Sequence, residues 1–165
     1  MRFLRLWLLP VALLAAAGSA LDAETVLTVI APAKTLTLTA QDIAALPRTE
    51  LQLPAQGDQE AVSFSGVAVR ELLLKAGAPL GAKLKGTGML TGVIVRCKDN
   101  YAVLFALAEF DPNFSTRTIL LADHQDGEIL PPSAAPFRIV TPGDKRGARS
   151  CKQVVSIEIV SLAKP

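Results

Sequence analysis

Residues 141–152 form the segment of this sequence best suited to bind a ligand. They include four basic side chains, two glycines and one serine, and they lie between two apolar runs typical of strands. Glycines let backbone amides turn toward a ligand, and arginine and lysine donate charge-assisted hydrogen bonds to phosphate. The segment is therefore a candidate anion-binding loop. On the residue types alone, a solvated basic turn is the favoured interpretation.

Other side chains that could do chemistry are scarce or scattered. His124 is the single histidine, which excludes a site built from several histidines. Its polar neighbours, residues 124–127, favour a solvated loop residue just beyond a strand. The acidic residues are spread along the chain without a recognisable pair for acid–base catalysis. No general catalytic arrangement is indicated.

The N-terminal residues have the pattern of a cleavable secretory signal peptide, residues 1–20. A positive start is followed by an apolar run of about a dozen residues and then by small residues, as signal peptidase requires. A membrane-spanning helix needs about 20 apolar residues, so an uncleaved anchor is the less favoured alternative. We expect the mature chain to begin at Leu21 or Glu24 and to form a single domain, residues 21–165. It would be periplasmic where the source has an outer membrane and otherwise secreted, with no stable membrane insertion after cleavage.

The chain has two cysteines, and export would place them in an oxidising compartment. An even number of cysteines there favours pairing, which predicts a disulfide between Cys97 and Cys151. Two cysteines are too few for a metal cage, and their spacing matches no zinc motif. Two free thiols, or a functional role for the thiols, are the alternatives.

The charge balance gives no general attraction to nucleic acid. The whole chain has 17 Lys+Arg and 15 Asp+Glu, and removal of the signal peptide takes away Arg2 and Arg5, which leaves 15 of each sign. A domain without net charge is not typical of proteins that bind nucleic acid or acidic membranes.

The pattern of apolar residues and turn signals predicts more strands than helices. Strands are expected at residues 25–30, 34–39, 49–53, 61–65, 92–97, 101–106, 118–122, 137–141 and 154–160. Short helices are expected after Thr39, which starts a capping box with Asp42, at residues 67–76, and at residues 106–110. Long helical crossovers between consecutive strands are missing, which predicts an α+β class with mainly antiparallel or mixed sheets.

Several short segments, in the same order, resemble the molybdopterin-binding domain of the sulfite oxidase family. The similar segments are FSGVAVRELL (residues 64–73), AG (76–77), DNY (99–101), LLA (120–122), DGEILP (126–131), PFRIVTPG (136–143) and GARSCK (147–152). The resemblance covers almost all of the chain from Leu36 onward. It implies a mainly β fold of the sulfite oxidase type with a few short helices, and molybdopterin as a cofactor. It also implies that the pterin phosphate region is bound by Arg138, Gly147, Arg149, Ser150 and Lys152.

The sequence also departs from the pattern of that family. Family enzymes bind molybdenum through a cysteine in the loop that precedes the FSGV segment, and here residues 51–57 contain no cysteine. Without a thiolate the chain lacks the soft ligand that the metal is expected to need. In addition, Gln153 replaces the usual aromatic residue after the loop lysine, and residues 133–135 contain no histidine.

Two hypotheses of function follow from this combination. The first is a small exported domain that lacks the molybdenum-ligating cysteine and binds an anionic or pterin ligand, or acts as a sensing module or with an exported protein partner. The second is a working molybdopterin-dependent oxidoreductase, or a subunit of one, in which Cys97 or Cys151 supplies the metal ligand instead. A binding module of unrelated purpose is a further alternative.

Overall fold

A computed structural model describes residues 25–54 and 60–163, and ten strands and two α-helices are found there. The strands are β1 (Thr25–Ala31), β2 (Lys34–Thr39), β3 (Arg48–Leu53), β4 (Val62–Ala68), β5 (Thr91–Cys97), β6 (Ala102–Ala106), β7 (Leu120–Gln125), β8 (Glu128–Ile129), β9 (Arg138–Val140) and β10 (Val154–Ser161). The helices are α1 (Ala40–Ala44) and α2 (Val69–Lys75), with short 3₁₀ helices at Gly81–Lys83, Gly86–Leu90, Leu107–Phe110 and Gly147–Arg149.

The strands form two sheets. Sheet A has the order β2-β1-β10-β5-β6, in which β1 and β10 are parallel and the other neighbours are antiparallel. Sheet B has the antiparallel order β3-β4-β7, and both β8 and β9 pair with β7. The predicted α+β class, mainly β with mixed and antiparallel sheets, is confirmed.

The main core is aliphatic and is built from inward-facing residues of both sheets and of the two α-helices. On sheet A it includes Leu27 and Val29 of β1, and on sheet B it includes Leu121 of β7 and Ile139 of β9, all at most 1% exposed. Each such side chain contributes roughly 1.5–3 kcal/mol of burial free energy. Sheet B also has a second apolar cluster, formed by Phe64, Leu120, Ala122 and Val140. Neighbouring residues of β7 are thus buried on both faces of the sheet, and the second face carries the site described below.

The two α-helices begin at chemically different signals. At α1, Thr39 Oγ1 accepts a hydrogen bond from the Asp42 amide (3.2 Å), and Asp42 Oδ2 accepts one from the Thr39 amide (2.9 Å). The predicted capping box is therefore confirmed. Helix α2 begins at Val69 rather than at residue 67, because β4 continues to Ala68, a residue with no side-chain cap.

Strands β4 and β7 approach each other closely at Gly66. A Cβ on this residue would lie 2.6 Å from Cα of Ala122, so only glycine fits there. The pairing register shifts beside it because Asp123 is an extra residue between Ala122 and His124. Strand β7 continues through His124, and the expectation that this histidine lies in a loop is wrong.

The predicted signal peptide, residues 1–20, lies outside the described residues. Within the described part of the chain, no helix has the length and apolar character needed to cross a bilayer.

Candidate functional site

The basic loop, residues 141–153, connects β9 to β10 and folds back on itself. Thr141 Oγ1 and Ser150 Oγ lie 2.8 Å apart, which joins the two ends of the loop. A β-bridge between Arg138 and Lys152 continues this pairing at the base. Between these points the chain makes a short 3₁₀ helix, Gly147–Arg149. The loop therefore has a defined shape that places its side chains on different sides.

One side of the loop covers a cavity of about 370 Å³ on the outer face of sheet B. We call it the Arg138 cavity. Its wall is polar at the loop and apolar at the sheet, and it is formed by Leu53, Pro54, Glu60, Val62, Phe64, Gln125, Arg138, Thr141, Gly143, Asp144, Lys145, Arg146, Gly147 and Ser150. This volume lies at the small end of the range for ligand pockets.

Arg138 is the side chain of this cavity that most needs a ligand. Its guanidinium carbon lies 4.7 Å from the centroid of the Phe64 ring, a cation–π contact. Its Nε is buried and has no hydrogen-bond partner among the described residues. Burial lowers the pKa of Arg138 from its ordinary value, yet an arginine stays protonated at neutral pH. A buried, charged donor without an acceptor is costly, so an anion in this cavity would be stabilised.

Arg149 has a different environment from the one expected for an anion ligand. Its guanidinium donates to Asp144 through Nε (2.9 Å) and Nη2 (2.8 Å), and to Glu109 through Nη1 (2.9 Å). Arg117 bridges the same two carboxylates, at 2.9 Å from Asp144 and 3.2 Å from Glu109. We call these four residues the carboxylate cluster. The ring of Phe105 lies beneath Arg149, 4.9 Å from the guanidinium carbon.

The charges in this cluster stabilise one another. The hydrogen bond from Arg149 holds the pKa of Asp144 below its usual value, and the bond to Asp144 raises the pKa of Arg149. The predicted binding set would require Arg149 and Lys152 to face one cavity, and they do not. The charge of Arg149 is balanced by Asp144 and Glu109, and so it needs no ligand.

The opposite side of the loop forms a second cavity of about 350 Å³, which we call the thiol cavity. It is lined by Cys97, Asp99, Tyr101, Ser133, Gly147, Ala148, Ser150, Cys151, Lys152 and Gln153. Lys152 is exposed at this cavity rather than at the Arg138 cavity. Cys97 and Cys151 are adjacent and buried but carry no bond in the structure, so the predicted disulfide is not confirmed. Burial raises the pKa of both thiols.

The predicted ligand-binding residues are thus divided among three environments. Arg138, Gly147 and Ser150 line the Arg138 cavity, Arg149 belongs to the carboxylate cluster, and Lys152 lies at the thiol cavity. Sequence reasoning missed the ring beneath Arg138, although Phe64 opens the FSGV segment that was noted for another reason.

His124 lies beside an ion pair on sheet B that Arg48 forms with Asp123. Its Nδ1 lies 2.7 Å from Asp123 Oδ1, and Arg48 donates two hydrogen bonds of 2.7 Å to the same carboxylate. Since a carboxylate only accepts here, Nδ1 must be the donor. Within the described residues no three side chains of His, Cys, Asp or Glu group together as a metal site would require.

The chain thus combines two packed sheets with a ligand-sized cavity under the β9–β10 loop. The chain belongs to the oxidoreductase molybdopterin-binding domain family, whose model matches residues 22–165. Comparison with curated protein sequences finds no match.

A similar solved structure is that of the sulfane dehydrogenase SoxCD from Paracoccus pantotrophus. The superposition has a TM-score of 0.63 at 20% sequence identity, over 82% of this chain and 38% of that chain. This likeness confirms the predicted fold of the sulfite oxidase type. This chain spans less than two fifths of the length of the SoxCD chain. At 20% sequence identity, the similarity supports a shared fold and nothing more.

Proposed function

We propose that this protein is an exported binding module for an anionic or pterin ligand, and that it does not hold molybdenum through a cysteine. The observation that carries the proposal is the Arg138 cavity. A half-buried guanidinium lies on Phe64 with its Nε unpartnered among the described residues, and the cavity wall it shares with Ser150 contains no thiol.

The residues present fit one part of a molybdopterin and not another. Arg138, the Ser150 hydroxyl and the backbone at Gly147 offer hydrogen-bond donors for a phosphate group. Lys145 and Arg146 add positive charge at the cavity, against the carboxylates of Glu60 and Asp144, and the latter is already bonded by arginine. The net charge therefore favours an anion.

The metal part of the cofactor has no suitable protein ligand. Bound molybdenum would supply redox chemistry, but neither of the two cysteines of the chain lines the Arg138 cavity. Both thiols open into the thiol cavity, and burial raises their pKa values, which disfavours the thiolate that a metal needs. We therefore place the alternative, a working molybdopterin-dependent oxidoreductase with altered ligation, second.

The proposed role is that of a sensing or partner module. A domain that binds its ligand without redox chemistry acts by presenting its bound and free states to another exported protein. Export itself is supported by the signal-peptide pattern of residues 1–20. An oxidising compartment would also favour a bond between Cys97 and Cys151.

Metal analysis and titration calorimetry together test the proposal. Protein purified from a host that makes molybdopterin should contain far less than one molybdenum per chain. Purified protein titrated with inorganic phosphate, and separately with a phosphorylated pterin, should bind at least one of them. Arg138→Gln should weaken that binding about 10- to 100-fold, because a charge-assisted hydrogen bond is worth about 1.5–3 kcal/mol.

Arg96→Gln is the matched control, because Arg96 is a strand arginine on sheet A whose guanidinium pairs with Glu158. It should leave binding unchanged, and both variants should melt near the parent temperature. Stoichiometric molybdenum would favour the oxidoreductase instead. A parent protein that binds neither probe would show that the family fold is retained without the ligand.

A further inference from the structure

The two thiols lie where a bond formed in the thiol cavity could affect the Arg138 cavity. Cys97 is the last residue of β5, and Cys151 follows Ser150 in the basic loop. Both are about 5% exposed, and both line the thiol cavity, which gives a small disulfide reagent a route to them. Each thiol is therefore shielded by the fold but reachable through one opening.

The thiol cavity and the Arg138 cavity share a wall. Gly147 and Ser150 line both of them. The carbonyl of Cys151 accepts a hydrogen bond from the Ile139 amide (2.8 Å), directly beside Arg138. Cys151 is thus the chain neighbour of Ser150, and its carbonyl is hydrogen-bonded to Ile139, the chain neighbour of Arg138. A constraint on Cys151 would therefore also restrict Ser150 and Arg138.

The rest of the loop is held by noncovalent contacts, which are weaker than a covalent bond. Tyr101 donates a hydrogen bond to the carbonyl of Ala148 (2.9 Å), and Arg149 holds Asp144, with both side chains partly exposed. Lys145 and Arg146 between these points are exposed. A covalent link at Cys151 would add a constraint that noncovalent contacts do not provide.

We propose that Cys97 and Cys151 form a reversible disulfide that clamps the basic loop and thereby raises the affinity of the Arg138 cavity for its anion. Two Sγ–H groups lose two protons and two electrons as the Sγ–Sγ bond forms. A disulfide of glutathione or of an exchange protein accepts both electrons and leaves as two thiols. The effect on affinity rests on the proposed function, whereas the clamp itself does not.

The clamp should favour binding because it removes loop motion before the ligand arrives. A loop that is already ordered loses less conformational entropy on binding. Coupling between two sites of one protein is typically 5- to 150-fold, and we expect the lower end. Linkage is reciprocal, so phosphate should make the disulfide harder to reduce by the same factor. A fivefold coupling corresponds to a shift of about 20 mV in the midpoint potential.

The test compares oxidised and reduced protein with three readouts. Treatment with oxidised glutathione should remove both alkylatable thiols, and reductant should restore them. Calorimetry with inorganic phosphate should give a Kd about fivefold lower for the oxidised form. Without any ligand, trypsin should cut after Lys145 and Arg146 several-fold more slowly in the oxidised form. Cys97→Ser, which cannot form the bond, should behave as the reduced protein under both treatments.

The outcomes separate the clamp from the proposed function. Thiols that stay alkylatable after oxidation, or equal trypsin rates and equal Kd values in the two forms, would overturn the clamp. If trypsin rates differ but neither form binds phosphate, the clamp is supported while the control of affinity fails together with phosphate binding. A Cys97→Ser protein whose Kd still responds to oxidant would also contradict the proposal.

Discussion

Arg138 and Arg149 show how two similar arginines can have opposite roles in one small domain. Each guanidinium lies over a phenylalanine ring, at 4.7 Å and 4.9 Å from the centroid, and each belongs to the region of the basic loop. Arg149 is bonded by two carboxylates, whereas Nε of Arg138 has no partner among the described residues. Arg149 is neutralised within the fold, whereas Arg138 is the arginine that we propose to be available for a ligand.

The difference lies in which partners the fold brings to each arginine. Glu109 is forty residues before Arg149 and belongs to the 3₁₀ helix Leu107–Phe110, which packs beside β6. At Arg138 the neighbouring element is the apolar outer face of sheet B. A motif match therefore identifies a positive residue, but the tertiary neighbours decide whether its charge is available. Substitutions in each environment should separate the two roles.

The largest effect should come from Arg149→Met. This variant keeps an apolar contact over Phe105 but removes one of the two arginines shared by Asp144 and Glu109, so that Arg117 alone bridges them. Because these carboxylates are partly buried, we expect a loss of about 2 kcal/mol, between the values for exposed and buried pairs. This loss in the free energy of unfolding can be measured by chemical denaturation.

The matched variant for this comparison is Arg138→Met, which removes a guanidinium that has no carboxylate partner in the described part of the chain. It should change the free energy of unfolding by much less than Arg149→Met does, and should lose phosphate binding instead. Equal destabilisation by the two substitutions would show that the arginines have the same structural role.

The carboxylate cluster could not be predicted from the sequence, because its residues come together only through tertiary packing. The capping box of Thr39 and Asp42 is local, so residue types three apart were enough to predict it. The pairing of Arg149 with Glu109 depends on the packing of separate elements, which residue spacing does not encode. The start of α2 was misplaced because Val67 and Ala68 are apolar like the helix that follows them, and no polar cap marks the change from strand to helix.

The predicted ligand-binding residues are divided among separate environments for a similar reason. Gly147 and Ser150 line the Arg138 cavity, whereas Arg149 ends the short 3₁₀ helix within the carboxylate cluster and Lys152, beyond that helix, lies at the thiol cavity. The side chains of Arg149 and Lys152 therefore lie on different sides of the loop, and the sequence motif alone does not predict this difference.

A medium effect should appear when Asp144→Asn is compared with the parent protein as a function of pH. The hydrogen bond from Arg149 holds the pKa of Asp144 below its usual value near 3.8. A depressed carboxyl pKa adds stability that is present above the unfolded value and is lost as pH falls through the folded value. We expect the parent to exceed the variant by about 1 kcal/mol at pH 7.

That difference should shrink below pH 4 and vanish in stronger acid, as urea denaturation at a series of pH values would show. A difference that stayed constant down to pH 2 would mean that the Asp144 charge does not contribute. Phosphate binding at pH 7 should not weaken in this variant if the loop keeps its shape, since Arg138 retains its position over Phe64 and a carboxylate is removed from the cavity wall.

The smallest effect should come from the exposed charges at the edge of the Arg138 cavity. Lys145 and Arg146 are exposed, so water and salt screen their attraction for an anion. The double substitution Lys145→Ala and Arg146→Ala should weaken phosphate binding only about two- to threefold at physiological salt, and the loss should disappear at 1 M salt, where the screening length is about 3 Å. Lys34→Ala, on the edge strand β2, is the matched control and should have no effect. A loss as large as that of Arg138→Gln would mean that the anion binds at the mouth of the cavity, among exposed charges, and that the guanidinium of Arg138 is not its main partner.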